Sequence, residues 1–192
     1  MNIKDFYISE VFKEIDKIET KKIELIGNEI IKTSKLNKNI YICGNGGSYS
    51  IANHALCDLV KCVYQDTKIK INLHSLSNNI ELISAISNDI SYEDIFSYQY
   101  NIQSKKGDLL ILISTSGNSK NIIKIAKLAK KMKNNIISFT GFNGGILKKL
   151  SNINININTD NYGISEDCHS IIFHLISQII RTKYAKKKIK YL

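Results

Sequence analysis

The run Asp108–Ser114, DLLILIS, is apolar without interruption from Leu109 to Ile113 and ends in a hydroxyl-rich turn. Successive residues of a strand point to opposite faces, so a strand of this kind must be covered on both sides, as in a parallel sheet sandwiched between helices. Shorter β-rich runs recur at Asn39–Cys43 (NIYIC), Lys70–Leu73, Asn135–Thr140 (NIISFT) and Ile153–Asn158 (INININ). Between them, stretches with apolar residues at every third or fourth position predict helices over about Ser48–Val63, Ile80–Ser87, Ser91–Gln103, Ser119–Lys133, Gly144–Leu150 and Ser165–Tyr184. Strands alternating with helices imply βαβ crossovers, and hence an α/β fold: a three-layer, doubly wound parallel sheet of about five strands. INININ alternates strictly between isoleucine and asparagine, which suits an edge strand. Upstream, Val11, Ile15 and Ile18, then Ile23, Ile26 and Ile30, predict one or two amphipathic helices from about Ile3 to Lys35. No composition shift or internal repeat divides the chain, so 1–192 reads as one domain with a helical segment at 1–35.

At 192 residues, 43% hydrophobic and 23% charged, the chain has enough apolar residues for a core without disulfides or a structural metal. No apolar run approaches the ~20 residues of a membrane span, and the charged N-terminus lacks the apolar block of a signal peptide, so a cytoplasmic protein is expected. Cys43, Cys57, Cys62 and Cys168 form no CxxC pair, which predicts free thiols. The net charge of +10 is spread along the chain, densest in the tail KYAKKKIKYL. This distribution fits lysines on solvated helix faces, and a positive field that attracts an anionic metabolite, better than it fits a nucleic-acid partner.

Two strand ends carry unusual loops. The first is Cys43-Gly44-Asn45-Gly46-Gly47-Ser48, whose glycines let the backbone approach a ligand at the start of a helix. Its spacing is neither that of a dinucleotide fingerprint nor that of a Walker loop. The second, Ser114-Thr115-Ser116-Gly117-Asn118-Ser119, places four hydroxyls in six residues ahead of a helix. Such loops also make ordinary turns and N-caps. Two of them at strand ends of one sheet, where doubly wound folds bind ligands, favour a phosphate cradle.

The two loops, with N-D-x-x-x-E-D-x-F-S at Asn88–Ser97 and T-G-F-N-G-G at Thr140–Gly145, resemble the sugar isomerase (SIS) domain, and among SIS domains the bacterial phosphoheptose isomerases. The resemblance runs over about residues 40–180. It implies a flavodoxin-like sheet, a homotetramer with active sites between subunits, and aldose–ketose isomerisation of sedoheptulose 7-phosphate through an enediol, serving lipopolysaccharide or capsule. It implies a substrate site of Asn45, Gly46, Gly47, Ser48, Asn88, Asp89, Ser114, Thr115, Ser116, Ser119 and Glu166, with the phosphate on Ser48, Ser114, Ser116 and Ser119. By position, the family's base falls on Asp58 and its acid on His174. A metal, usually zinc, falls on His54, Asp58, Glu166 and His174.

Read from the residues, His54 and Asp58 lie four apart and share a helix face. Glu166 and His174, eight apart, are separated by about 12 Å of helix axis. The chain departs from the family pattern around the substrate: Asp58 replaces Glu, Glu166 replaces Gln, and Lys61-Cys62 and Gly163-Ile164 stand where arginine-containing pairs are usual. The phosphate loops are intact. An isomerase of another sugar phosphate, or a non-catalytic SIS module that binds phosphosugars, therefore stays open beside the phosphoheptose reading.

Overall fold

The computed structural model describes residues 1–189; the last residues of the basic tail, 190–192, lie outside the described residues. Two helices lead the chain, α1 (Ile3–Asp16), capped by the Asn2 side chain, and α2 (Thr20–Lys35). Then follow β1 (Ile40–Gly44), α3 (Gly47–Cys57), one π-helical turn (Asp58–Cys62), α4 (Val63–Thr67) and β2 (Leu73–Ser75). After α5 (Ile80–Asp89) a 3₁₀ turn (Tyr92–Asp94) leads into α6 (Ile95–Gln103) and β3 (Leu109–Ser114). The chain continues with α7 (Lys120–Lys131), β4 (Asn135–Thr140), α8 (Gly145–Leu150), β5 (Ile153–Asn156) and α9 (Tyr162–Tyr184).

The five strands are all parallel, in the order β2-β1-β3-β4-β5. The alternation of β3 divides the core. Leu109, Ile111 and Ile113 pack with α2, α3 and α9 on one face, while Leu110 and Leu112 pack with α6, α7 and α8 on the other. This is the expected three-layer fold, with β5 at an edge. The strand expected at Lys70–Leu73 is displaced to Leu73–Ser75: Ile69 and Ile71 reach the core from an extended connection, and pairing with β1 begins only at Leu73 opposite Ile40.

β5 holds its neighbour by side chains as well as backbone. Asn154 Nδ2 donates to Ser138 Oγ at 2.8 Å and to Thr140 Oγ1 at 2.9 Å, and Asn156 Nδ2 donates to the Phe142 carbonyl at 3.0 Å. α1 is tied to the body by Tyr7, whose hydroxyl donates to Asp167 at 2.8 Å, and by buried Glu14, which accepts the Asn158 N–H at 3.0 Å. Yet Ile3, Phe12 and Ile8 of the same helix remain exposed.

The turn after β3 interlocks with the turn after β4. Gly117, at φ +63°, lies so close to Gly144 that a Cβ there would stand 2.1 Å from the Gly144 carbonyl oxygen. The Gly117 carbonyl in turn accepts the Leu147 N–H of α8 at 3.0 Å. All four cysteines are unpaired, Cys43 and Cys168 buried and Cys57 exposed. Among the described residues, no helix is long and apolar enough to cross a membrane.

Candidate active site

In the order 2-1-3-4-5, the connections leaving β1 and β3 run to opposite sides of the sheet, and the loops leaving such neighbouring strands diverge to open a crevice. Both unusual loops leave from this point. Between them lies a cavity of about 310 Å³ lined by Asn45, Gly46, Gly47, Ser48, Ser114, Thr115, Ser116, Ser119 and Glu166. Ser119 is the N-cap of α7, and its side chain makes no bond to that helix's amides, so the hydroxyl is not spent on the turn. Gly46, the N-cap of α3 at φ +55°, leaves that helix start equally uncapped. Two helix N-termini and a row of hydroxyls therefore converge, an arrangement that binds anions without arginine. Among the described residues, Thr115 Oγ1 is buried without a hydrogen-bond partner.

Glu166 enters the cavity because position 47 is glycine. A Cβ at Gly47 would stand 2.2 Å from the Glu166 carboxylate. Burial, reinforced by neighbouring Asp167, raises the Glu166 pKa above the usual carboxylate range.

Of the expected substrate residues, Asn88 and Asp89 do not line this cavity. They stand exposed at the end of α5, where Asn88 Nδ2 donates to Asp89 Oδ1 at 2.9 Å. Their segment reaches the cavity through Tyr92 instead, whose hydroxyl donates to Asn45 Oδ1 at 3.2 Å. Tyr92, Asn121 and the cavity-lining Tyr162 escaped the sequence reading. The only signals were an aromatic inside the N-D motif and an asparagine just beyond S-T-S-G-N-S.

The second cluster lies where α3 passes into its π turn. Asp58 opens that turn, and its carbonyl accepts the Val63 N–H five residues on. The Asp58 Oδ2 atom stands 2.9 Å from His174 Nδ1 and 3.4 Å from His54 Nε2. The two imidazole rings meet edge to face at 5.0 Å. One ligand atom from each of the three residues falls within 4.8 Å of the others. Two imidazole nitrogens and a carboxylate oxygen suit a divalent transition-metal ion with a coordination position left open.

Glu166 does not join the three. α9 is helical from Tyr162 to Tyr184, so Glu166 and His174 keep their eight-residue separation, and the Glu166 carboxylate lies over Gly47 instead. His174 is on the accessible side of α9. The core histidine of that helix is His169, fully buried, with Nε2 at 3.1 Å from the Thr140 carbonyl. A carbonyl only accepts, so Nε2 carries the hydrogen, and burial pushes the His169 pKa down to about 4. His74 is exposed and stacks on Tyr41 at 5.4 Å.

α3 and α9 pack side by side, and each carries a residue of both clusters: Ser48 with His54, and Glu166 with His174. Glu166, at the cradle, and His174, in the imidazole–carboxylate group, are about 12 Å apart along the axis of α9.

Residues 6–141 match the model of the SIS domain family. A probable phosphoheptose isomerase of Thermoplasma acidophilum is 33% identical over 178 residues, 93% of this chain and 97% of that protein. The phosphoheptose isomerase of Helicobacter pylori (strain ATCC 700392 / 26695) is 35% identical over 158 residues, 82% of each chain. In three dimensions, a phosphoheptose isomerase structure from Francisella tularensis superposes with a TM-score of 0.85 at 24% identity, covering 94% of this chain and 96% of that one. The chain belongs to the SIS domain family and, within it, to the phosphoheptose isomerases.

Proposed function

We propose that this protein is an aldose–ketose isomerase that converts sedoheptulose 7-phosphate to D-glycero-D-manno-heptose 7-phosphate, for heptose-containing lipopolysaccharide or capsule. The observation that carries the reading is the contact at 2.9 Å of His174, on α9, with Asp58, in the π turn that continues α3, the two helices being those that also line the phosphate cradle.

In this reading Ser48, Ser114, Ser116 and Ser119 hold the phosphate, with Asn45, Gly46, Gly47, Thr115 and Glu166 beside it. Asp58 is the base that takes the C1 proton and returns it to C2, and His174 is the acid at the C2 oxygen. Asp58 Oδ2 is turned to the histidines, while among the described residues Oδ1 meets only the weak thiol donor of Cys62 at 3.9 Å, which leaves lone pairs for the proton. His54, Asp58 and His174 would hold zinc, the first choice for mixed nitrogen and oxygen ligands. When bound, it supplies Lewis-acid stabilisation of negative charge on the substrate oxygens. The direct test is the entry of solvent deuterium at C1 of the ketose, followed by NMR.

The cradle has its own test. A hydrogen bond to a charged group is worth about 1.5–3 kcal/mol, so Ser116→Ala is expected to weaken sugar-phosphate binding about tenfold or more, measured by calorimetry. Unchanged affinity would put the phosphate elsewhere.

We further propose that the single SIS domain, 1–192, works as a cytoplasmic homotetramer, with the 1–35 helices used in assembly. Support comes from α1, which leaves Ile3 78% and Phe12 74% exposed. Sedimentation velocity at micromolar concentration is expected to give a tetramer; a monomer there would remove the role assigned to α1.

A further inference from the structure

Asn45, on the loop after β1, and Asn121, in the first turn of α7, are 76 residues apart and exchange two hydrogen bonds. Asn45 Nδ2 donates to Asn121 Oδ1 at 2.9 Å, and Asn121 Nδ2 donates back to Asn45 Oδ1 at 3.0 Å. The orientation of the pair is fixed from outside it. The backbone N–H of Ile122, one of the first-turn amides that a helix leaves without an internal partner, donates to Asn121 Oδ1 at 2.9 Å. An N–H can only donate, so the atom it meets is the Asn121 oxygen, and the Asn121 amide nitrogen must face Asn45.

The count of bonds then decides what Asn45 can offer a ligand. Its oxygen accepts from Asn121 and from the Tyr92 hydroxyl, which occupies both lone pairs. Its nitrogen has given one hydrogen to Asn121 and keeps the other. Asn45 lines the cavity, whereas Asn121 is buried at 2% exposure. An asparagine that could present either a donor or an acceptor is thereby restricted to a donor. The helix end that helps to form the anion site also sets the polarity of a side chain on the opposite loop.

We propose that Asn121 is a positioning residue that makes Asn45 a donor-only contact for a substrate oxygen, with Tyr92 completing the device. This rests on the reading of the cavity as a sugar-phosphate cradle. Asn121 itself acts only through Asn45, and so its removal should tell on binding far more than on chemistry.

The test is the Kd for sedoheptulose 7-phosphate by calorimetry, together with KM and kcat, for Asn45→Ala, Asn121→Ala, the double variant and Ser116→Ala. Asn45→Ala is expected to raise Kd and KM about tenfold, and Asn121→Ala about fivefold, with kcat in both within about twofold of wild type. The double variant is expected to be no weaker than Asn45→Ala alone, because the two residues act as a unit. Effects that multiply in the double variant, or wild-type affinity in Asn121→Ala beside a weakened Asn45→Ala, would overturn the proposal and leave the cradle intact. Wild-type affinity in Ser116→Ala and Asn45→Ala together would overturn the cradle and the proposal with it. Should Asn121→Ala not fold, Tyr92→Phe removes one donor from Asn45 at a residue 57% exposed. It is expected to weaken binding about twofold to threefold, and wild-type affinity there would overturn the proposal.

Discussion

Asp58→Asn is expected to abolish exchange of the substrate's C1 proton with solvent while sugar-phosphate affinity stays within about twofold of wild type. The amide keeps the volume of the carboxylate and its contacts with His54 and His174, but it has no basic lone pair on the atom that replaces one oxygen. The cradle is untouched, since Asp58 lies beyond the end of α3 and Ser48 at its start. Binding and chemistry should therefore separate cleanly in one variant. The complementary variant, Asp58→Glu, restores the family's longer side chain. A misplacement of about 1 Å can cost ~100-fold in rate, so Glu is expected to hold or raise activity if reach alone is compromised. The π turn bears on this: opening the helix by one residue per turn moves the carboxylate relative to an α-helical register, as such insertions do at many functional sites. If the wild type, with divalent metal supplied, exchanges no proton of any heptose, hexose or pentose phosphate, the isomerase reading fails and a binding module remains.

Gly117→Ala is expected to be the most damaging single change outside the hydrophobic core. A non-glycine residue in the left-handed region costs about 1–2 kcal/mol through its own backbone. Here the added carbon would also meet the Gly144 carbonyl at 2.1 Å, and that carbonyl belongs to a turn, not to a side chain that can swing aside. A loss of more than about 2 kcal/mol corresponds to a fall in Tm of at least about 4–8 °C for a chain of this length. Because the same turn carries Ser116 and Ser119, affinity for sugar phosphate should fall about tenfold or more as well. Gly107→Ala is the control. Its φ is +91°, but the added carbon meets the flexible end of Lys38 at 3.2 Å, at the far end of β3. It is expected to lose less stability and to bind normally; equal losses of affinity in both would show that the interlocked turns do not shape the cradle.

What the sequence disclosed followed from how local each signal is. β3 was legible because a doubly covered strand writes its environment into consecutive residues, and both cradle loops were legible because glycine and serine report a turn wherever it occurs. The start of α9 was placed at Ser165 because the apolar rhythm begins there. The helix begins at Tyr162, since the Asn161 side chain accepts the Ile164 N–H at 3.2 Å and caps it. The displaced β2 has the same origin: the isoleucines of KIKINL alternate before pairing begins, and only the position of the neighbouring strand determines where bonds start. The resemblance implies a metal on Glu166 as well as on His54, Asp58 and His174, although about 12 Å of helix axis separates Glu166 from His174; among the described residues, the structure brings only His54, Asp58 and His174 together and leaves Glu166 over Gly47. The Asn45–Asn121 exchange left no local trace, because each asparagine on its own looks like an ordinary turn residue.

The edge strand carries a hazard that the native fold suppresses. INININ has six residues without charge or proline, alternating a β-branched apolar side chain with an amide, which is the composition of segments that stack into cross-β fibrils. In the folded protein, β5 pairs along one side with β4, and the amides of Asn154 and Asn156 are committed to Ser138, Thr140 and Phe142. The strand itself is only four residues long, which limits the template offered to another chain. That protection exists only while β4 is in place. A heat-opened chain in which β5 has come loose from β4 exposes a self-complementary segment, and such chains are expected to aggregate through it before the rest of the sheet unfolds.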